Sequence, residues 1–557
     1  MCNDGEHRFA FRAALLVTAC LAASGCGDFE AEETTGSLPA SASTPTTGGT
    51  AVVGVAAGGT TLLPPLAAAA LDFEIGGSLY LALNYAEWED GALVYREAHS
   101  LALARDWTLN NGDASLTYHL NASRRWSDGT PVTAADVEFT YDLLADTTLA
   151  LPLSSSTERL DSLVVLNDST VTFFFDRPYP GMLFDTGVSI IPAHVYGSFP
   201  REEMGGLPGY DASEGGELVV SGPFQLAEWR PTERIVLVRN EAFADPPHLD
   251  RIVFRIMPEE TTRLAELRTG GIDLSQVNSF LALGDLLTDS AIDVRRVPQR
   301  GYDYIAWHPE GHPALADPLV RRALSSALDR DAMVAALDLT GFGEPAYGPY
   351  GSLFPALRTR PPETPAYDPA RAARLLDEAG WRDADGAGVR EREGRRLEIE
   401  LATTAGNPRR EAAVQIVQSQ LAEVGVRANI RVEEFQALLG RVIGRNYESA
   451  LLGWQVGLDP DISMFWADPD GPFNVVGYDS PETRDLIERA QAQATYDGAA
   501  EFWREAGNRI AADHPYTFLW FFDFPIAVGP RLRGVQTSAL GFGPSMSSWW
   551  IPEAHRR

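Results

Sequence analysis

Few side chains in this sequence are spaced for chemistry, and most of those fail on closer reading. His308 and His312 stand four apart, the interval that places two imidazoles on one helical face for a metal. Pro309, Gly311 and Pro313 interrupt that stretch and forbid the helix. Asp383-Ala384-Asp385-Gly386-Ala387-Gly388 opens like a calcium loop. The closing acid of such a loop belongs at its twelfth position, and Glu393 falls one short, so a hairpin turn is expected instead. Neither a Gly-x-Ser-x-Gly elbow nor a His-Glu-x-x-His helix occurs, so the common hydrolase signatures are missing. The chain has no lysine, which removes Schiff-base catalysis and the phosphate-cradling Walker loop. Its three cysteines, Cys2, Cys20 and Cys26, all lie at the N-terminus, leaving the body without a disulfide or a thiolate metal site. No catalysis, metal or cofactor is expected.

The elements around these residues belong to a large acidic body. With 557 residues, 45% of them hydrophobic, the chain suggests three or four packed units. A formal charge of −32 and a pI near 4.6 argue against nucleic acid, which needs Lys and Arg on one face. They argue equally against docking on anionic lipid through a basic patch.

Arg8 and Arg12 precede a short apolar run, Ala13 to Ala23. About a dozen residues cannot span a bilayer, which needs roughly 20; a charged flank with such a core reads as a secretory signal. Leu21-Ala22-Ala23-Ser24-Gly25-Cys26 resembles a bacterial lipobox, with Ala23 where Leu is usual, so residues 1–25 are expected to be a signal peptide and Cys26 the lipidated residue. Residues 26–71, rich in Thr, Ser, Ala, Gly and Pro, read as a disordered tether. The apolar run Ala51 to Val55 falls inside it and is too interrupted to be a span.

Beyond residue 71 strand and helix patterns alternate, an α/β arrangement. Asp317-Pro318, Asp368-Pro369 and Ser480-Pro481 each start a helix, with a capping side chain followed by Pro at the first helical position. Leu163 to Leu166 and Thr170 to Phe175 flank an Asn167-Asp168-Ser169 turn, a hairpin. In Trp126-Ser127-Asp128-Gly129-Thr130-Pro131-Val132-Thr133-Ala134-Ala135-Asp136-Val137, Asp128-Gly129 makes a turn and Thr133 caps a helix with Asp136 three residues on.

That last string resembles the signature of the family 5 extracellular solute-binding proteins, the oligopeptide- and nickel-type receptors of ABC importers. Leu101 to Trp107, Ser221-Gly222-Pro223-Phe224, Asp317 to Leu324, Tyr367 to Trp381, Gly453-Trp454 with Asp459-Pro460-Asp461, and Gly477 to Glu482 match further family segments in order. The resemblance implies a two-lobe α/β body of the type II periplasmic-binding-protein class, hinged around a central cleft. Lobe one would hold 72–300 plus 521–557, with a subdomain at about 91–190, and lobe two 301–520. It implies an exported monomer, lipid-anchored on the outer face of the cytoplasmic membrane or in the periplasm. Such a receptor closes on a peptide or other small solute and hands it to an ABC permease. A sensory receptor on the same fold, or a binder of opines, sugars or metal chelates, stays open as an alternative.

The resemblance also points to site residues. Peptide-binding relatives carry an aspartate shortly after the Gly-Trp pair that holds the peptide's ammonium. Here Gly453-Trp454-Gln455-Val456-Gly457-Leu458-Asp459 is one residue shorter, Gly457 or a gap stands at that place, and Asp459 is the available substitute. Trp454 offers a flat ring for stacking varied ligands. Asn84 and Tyr85 are expected to end the first strand of the body, beside the cleft. Ser221 and Gly222 would allow close backbone approach, Tyr304 would line the hinge or cleft, and Asn474 would reach the pocket.

Overall fold

The computed structural model describes residues 44–149, 151–204, 218–298, 301–359 and 366–556. The expected signal peptide, Cys26 and the first part of the tether lie outside the described residues. The rest of the expected tether is corrected: Thr50–Val55 is a strand, paired in parallel with Arg251–Ile256 on one side and with Leu274–Gln276 on the other. Ala51 and Val53 are buried to within 1%. A parallel strand covered on both faces reads as a short continuous apolar run, and Ala51 to Val55 is one. Asp273 fixes it by accepting a hydrogen bond from the Val52 amide at 2.8 Å and gripping Arg531 through two bonds of 2.6 and 2.7 Å.

That strand lies inside a seven-stranded sheet, in the order Asp293–Val297, Phe524–Val528, Leu274–Gln276, Thr50–Val55, Arg251–Ile256, Arg234–Arg239 and Phe224–Arg230. A second sheet of six strands runs Gly343–Pro345, Tyr516–Phe522, Gly301–Trp307, Ser449–Gln455, Glu398–Thr404 and Arg427–Glu433. The chain passes from the first sheet to the second between Val297 and Gly301 and returns between Phe522 and Phe524. Each sheet is the centre of one lobe.

A four-stranded antiparallel sheet, Ala104–Asn110, Ser115–Leu120, Thr170–Phe175 and Leu160–Asn167, forms a smaller layer of lobe one. Leu116, Tyr118 and Leu120 alternate inward on it. A separate two-stranded ribbon, Tyr85–Glu89 with Ala92–Arg96, belongs to neither large sheet.

The helix starts follow from their caps. Asp317, Asp368 and Ser480 accept hydrogen bonds from the amides of Leu319, Arg371 and Thr483, each with Pro in the first turn. Val320, Ala323, Leu324, Ala327 and Leu328 make one buried stripe in lobe two; fully burying a Val or Leu contributes about 1.5–3 kcal/mol. The Trp126–Val137 string is organised by Asp136, which accepts from the Trp126 indole at 3.3 Å, the Thr133 amide at 2.8 Å and the Ala193 amide at 2.9 Å. Its role is architectural.

Candidate functional site

Strand directions fix where a ligand can lie. Thr50–Val55, Arg251–Ile256 and Leu274–Gln276 run parallel and share one end, at which Asp293–Val297 finishes and Phe524–Val528 begins. In lobe two, Glu398–Thr404, Arg427–Glu433 and Ser449–Gln455 run parallel and finish at the end where Gly301–Trp307 starts and Tyr516–Phe522 stops. Both sets of carboxyl ends therefore sit where the chain crosses between lobes. In open α/β sheets that edge is where ligands bind.

Asp459 follows the strand Ser449–Gln455 at this edge. Its carboxylate accepts a hydrogen bond from the Tyr496 hydroxyl at 3.1 Å and from the Asp461 amide at 2.9 Å. A Cβ on Gly181, in lobe one, would lie only 3.1 Å from Asp459 Oδ2, so the carboxylate abuts the opposite lobe. Four residues on from Gly181 stands Asp185, whose carboxylate accepts from the Tyr179 hydroxyl at 2.5 Å. Burial raises the Asp185 carboxyl to about 7, and the charge of Asp459 adds to the rise. Burial raises Asp459 to about 6, with Asp461 adding to it. Two half-buried acids thus face one another from different lobes, and the Arg159 guanidinium offsets only part of the rise in each.

Three phenols surround them. Tyr179 and Tyr496 bond the two acids. Tyr95, on the ribbon, feels both charges, and its buried hydroxyl has no hydrogen-bond partner among the described residues. The ribbon itself reaches lobe two. Trp88 meets Phe354 edge-on at 5.7 Å, and a Cβ on Gly91, at φ +84°, would lie 2.2 Å from the Pro355 ring. An isolated two-stranded hairpin is marginal alone, and this one leans across the crevice.

Trp454 stands half-buried at the same edge, on the face occupied by Asp459's loop. Its ring stacks near Tyr304 at 5.9 Å and packs against Phe465 at 5.2 Å and Phe473 at 5.8 Å. Phe473, in contact with the Trp454 ring, is 37% exposed, an apolar ring left open to water at this edge.

The other expected site residues have structural partners. Tyr304 is fully buried between Trp454 and Tyr516, 4.1 Å from the latter ring, and so backs Trp454 from behind. Asn84 donates to the Tyr118 hydroxyl and the Leu183 carbonyl, both at 2.8 Å. Tyr85 stacks flat on His99 at 3.8 Å at the base of the ribbon. The Ser221 hydroxyl accepts from the Leu81 amide. Gly222 is held because a Cβ would come within 2.4 Å of the Ser78 carbonyl. Asn474 is wholly buried and clamps its own loop through Asp468 and Tyr478.

His308 stacks on Tyr447 and His312 caps the Ala314 amide. Asp383 and Asp385 bond the Gly388 and Ala387 amides in a turn. A cavity of about 230 Å³ in lobe two is lined by residues such as Tyr347, Tyr350 and Phe521, with none from lobe one, so it is not the crevice. Sequence reading missed Asp185, Tyr95, Tyr179 and Tyr496. Their only common signal is position after loops whose meeting depends on the whole topology.

Residues 100–472 match the model of the bacterial extracellular solute-binding proteins, family 5 Middle. The oligopeptide-binding protein AppA of Bacillus subtilis is 27% identical over 462 residues, covering 79% of this chain and 81% of the relative. The solved structure of that protein with a nonapeptide superposes with a TM-score of 0.72 at 24% identity, over 92% of this chain and 100% of that one. NikZ of Campylobacter jejuni, solved with Ni(L-His), gives 0.71 at 21% identity over 90% and 99%. The two-lobe α/β fold is that of type II periplasmic binding proteins, and the chain belongs to the extracellular solute-binding proteins of family 5.

Proposed function

We propose that this protein captures a peptide or similar small solute between its lobes and delivers it to an ABC permease, without converting it. The observation that carries the reading is the meeting of Asp185 and Asp459 across the crevice, where Asp459 lies against Gly181 and both carboxyls are raised by burial. Arg159 offsets part of their charge, and a solute bearing an ammonium group would add to it and tie one lobe to the other. Trp454, with Phe465 and Phe473 beside it, offers an apolar surface for the solute's side chains. Tyr85 sits at the base of the ribbon that closes the crevice on one side. The two crossings between the sheets act as the hinge, and ligand shifts the population toward the closed form. Peptide ligands of relatives such as AppA favour peptides here, with the Asp185–Asp459 pair in place of the single acid expected after Gly453-Trp454.

The chain is proposed to be exported and anchored through lipid on Cys26, and to act as a monomer. Fractionation of a Cys26→Ala variant tests the anchor: the protein should move from the membrane to the soluble fraction, and unchanged partition would count against it. Calorimetric titration with trialanine and N-acetyl-trialanine tests the ligand. Binding of the first and loss of at least tenfold with the second is expected. Equal binding of both would remove the ammonium role of the acid pair, and absence of binding by any peptide would remove the peptide reading.

A further inference from the structure

The two-stranded ribbon of lobe one has two unlike faces. Its strands, Tyr85–Glu89 and Ala92–Arg96, are joined by Asp90-Gly91, at φ +48° and +84°, a turn whose twist suits a two-residue hairpin. Cross-strand partners share a face, and so do alternate residues along each strand. Ala86 with Tyr95 and Trp88 with Leu93 therefore lie on one side. Glu87, Glu89 and Arg96 lie on the other, where the Arg96 guanidinium bonds both carboxylates in contact with water.

The apolar side is turned to the other lobe. Trp88 packs against the aromatic core of lobe two, with its ring edge-on to Phe354 at 5.7 Å. Phe354 is buried and meets Tyr350 edge-on at 6.0 Å. The Tyr350 hydroxyl donates to the Pro460 carbonyl at 2.6 Å, one residue past Asp459. The tip follows, since a side chain on Gly91 would collide with the Pro355 ring. The base is fastened in lobe one, where the Leu103 and Ala104 amides donate to the Ala82 and Leu83 carbonyls at 2.9 and 3.0 Å. Two seats on different lobes make the ribbon a tie between them. Tyr95 shares the face of Trp88, and its buried hydroxyl, without a partner among the described residues, feels the charges of Asp185 and Asp459.

We infer that the ribbon is a strap, fixed in lobe one and held down on lobe two by Trp88, which biases the lobes toward closure and sets the Tyr95 hydroxyl at the acid pair. The role of Tyr95 rests on the reading of the crevice as a solute site. Both rings of the Trp88–Phe354 contact belong to the chain, so the strap acts with or without a solute. Trp88 is a positioning residue, since its ring is taken up by lobe two. Its loss lowers the closed fraction, and the apparent affinity for every solute falls by the same factor.

Calorimetry with trialanine and N-acetyl-trialanine, and solution X-ray scattering of the unliganded chain, test the strap. Trp88→Ala should weaken both peptides by one common factor, roughly tenfold for a lost aromatic pair, and should enlarge the radius of gyration of the unliganded chain. Trp88→Phe, which keeps a ring, should stay within about threefold of the wild type. Because the two rings act on each other, Trp88→Ala/Phe354→Leu should bind about as well as Trp88→Ala alone. Tyr95→Phe should weaken trialanine in the wild-type chain and add little to Trp88→Ala. A changed ratio of the two peptides in Trp88→Ala would make Trp88 a solute contact and overturn the strap. Unchanged affinity in that variant, a fully additive double variant, or an equal cost of Tyr95→Phe in both backgrounds overturns it too. Should Trp88→Ala not fold, Phe354→Leu takes its place in each comparison. Should neither peptide bind, the peptide reading fails and scattering decides the strap: a larger radius in Trp88→Ala than in the wild type supports it, and an equal radius overturns it.

Discussion

Asp136 and Asp185 lie in the same part of lobe one and are held in opposite ways. Asp136, 4% exposed, accepts from an indole and two backbone amides, and it pins a turn, a helix start and a distant loop together. Asp185 has one phenol on its carboxylate and a second acid opposite. The first is closed by donors of its own fold, while the second faces another acid and shares with it the charge of Arg159. A satisfied acid is a mark of architecture and an unsatisfied one, at a lobe junction, is a mark of binding.

That contrast can be broken most forcefully at Asp136. Asp136→Ala should cost about 3 kcal/mol of stability by leaving buried donors without an acceptor, measured by urea unfolding; a loss well under 1 kcal/mol would erase the contrast. Asp185→Asn should do the reverse, raising the melting temperature at pH 8 while weakening trialanine about a hundredfold through loss of a charged partner. A variant that loses stability instead would place Asp185 with Asp136.

The pH dependence sharpens the same point. Asp185 and Asp459 titrate at about 7 and about 6 in the folded chain, above an ordinary carboxyl, so the folded state holds these protons more tightly than the unfolded one. The stability they contribute is full below the ordinary carboxyl pKa and is lost as pH rises to about 7. The unliganded protein should therefore lose part of its stability between about pH 4 and 7, and Asp185→Asn/Asp459→Asn should flatten that slope. An ammonium ligand works against those protons, so trialanine should bind more tightly at pH 8 than at pH 5. The smallest effect is expected at Trp454: Trp454→Ala should weaken binding by about 1 kcal/mol with little change in pH profile. An unchanged affinity in the folded variant removes the ring from the site.

Local signals were readable before the structure. The Asp-Pro and Ser-Pro helix starts, the Asn167-Asp168-Ser169 hairpin and the Thr133–Asp136 cap are short-range patterns, and the chain adopts them. Thr50–Val55 was hidden because an apolar strand buried on both faces, flanked by Gly and Thr, has the composition of a linker with a few valines. Only its partners, some two hundred residues away, give it a place. Asn474 and Ser221 show the limit from the other side: a polar side chain in a family segment can be engaged by its own loop, as Asn474 is, or by a distant backbone amide, as Ser221 is. Asp185 carried no signal, since its opposition to Asp459 exists only once two lobes meet.

The return of the chain near Phe524 has a consequence for how the molecule is made. Asp293–Val297 has one neighbour in its sheet, Phe524–Val528, which also covers the edge of Leu274–Gln276. Lobe two is an uninterrupted insertion whose strands are all present by Phe522. During synthesis it can assemble as a unit while lobe one still waits, with two unpaired strand edges, for a five-residue strand close to the end of the message. Ordering contacts so distant in sequence is slow, and premature termination would release a chain with one finished half and one adhesive half.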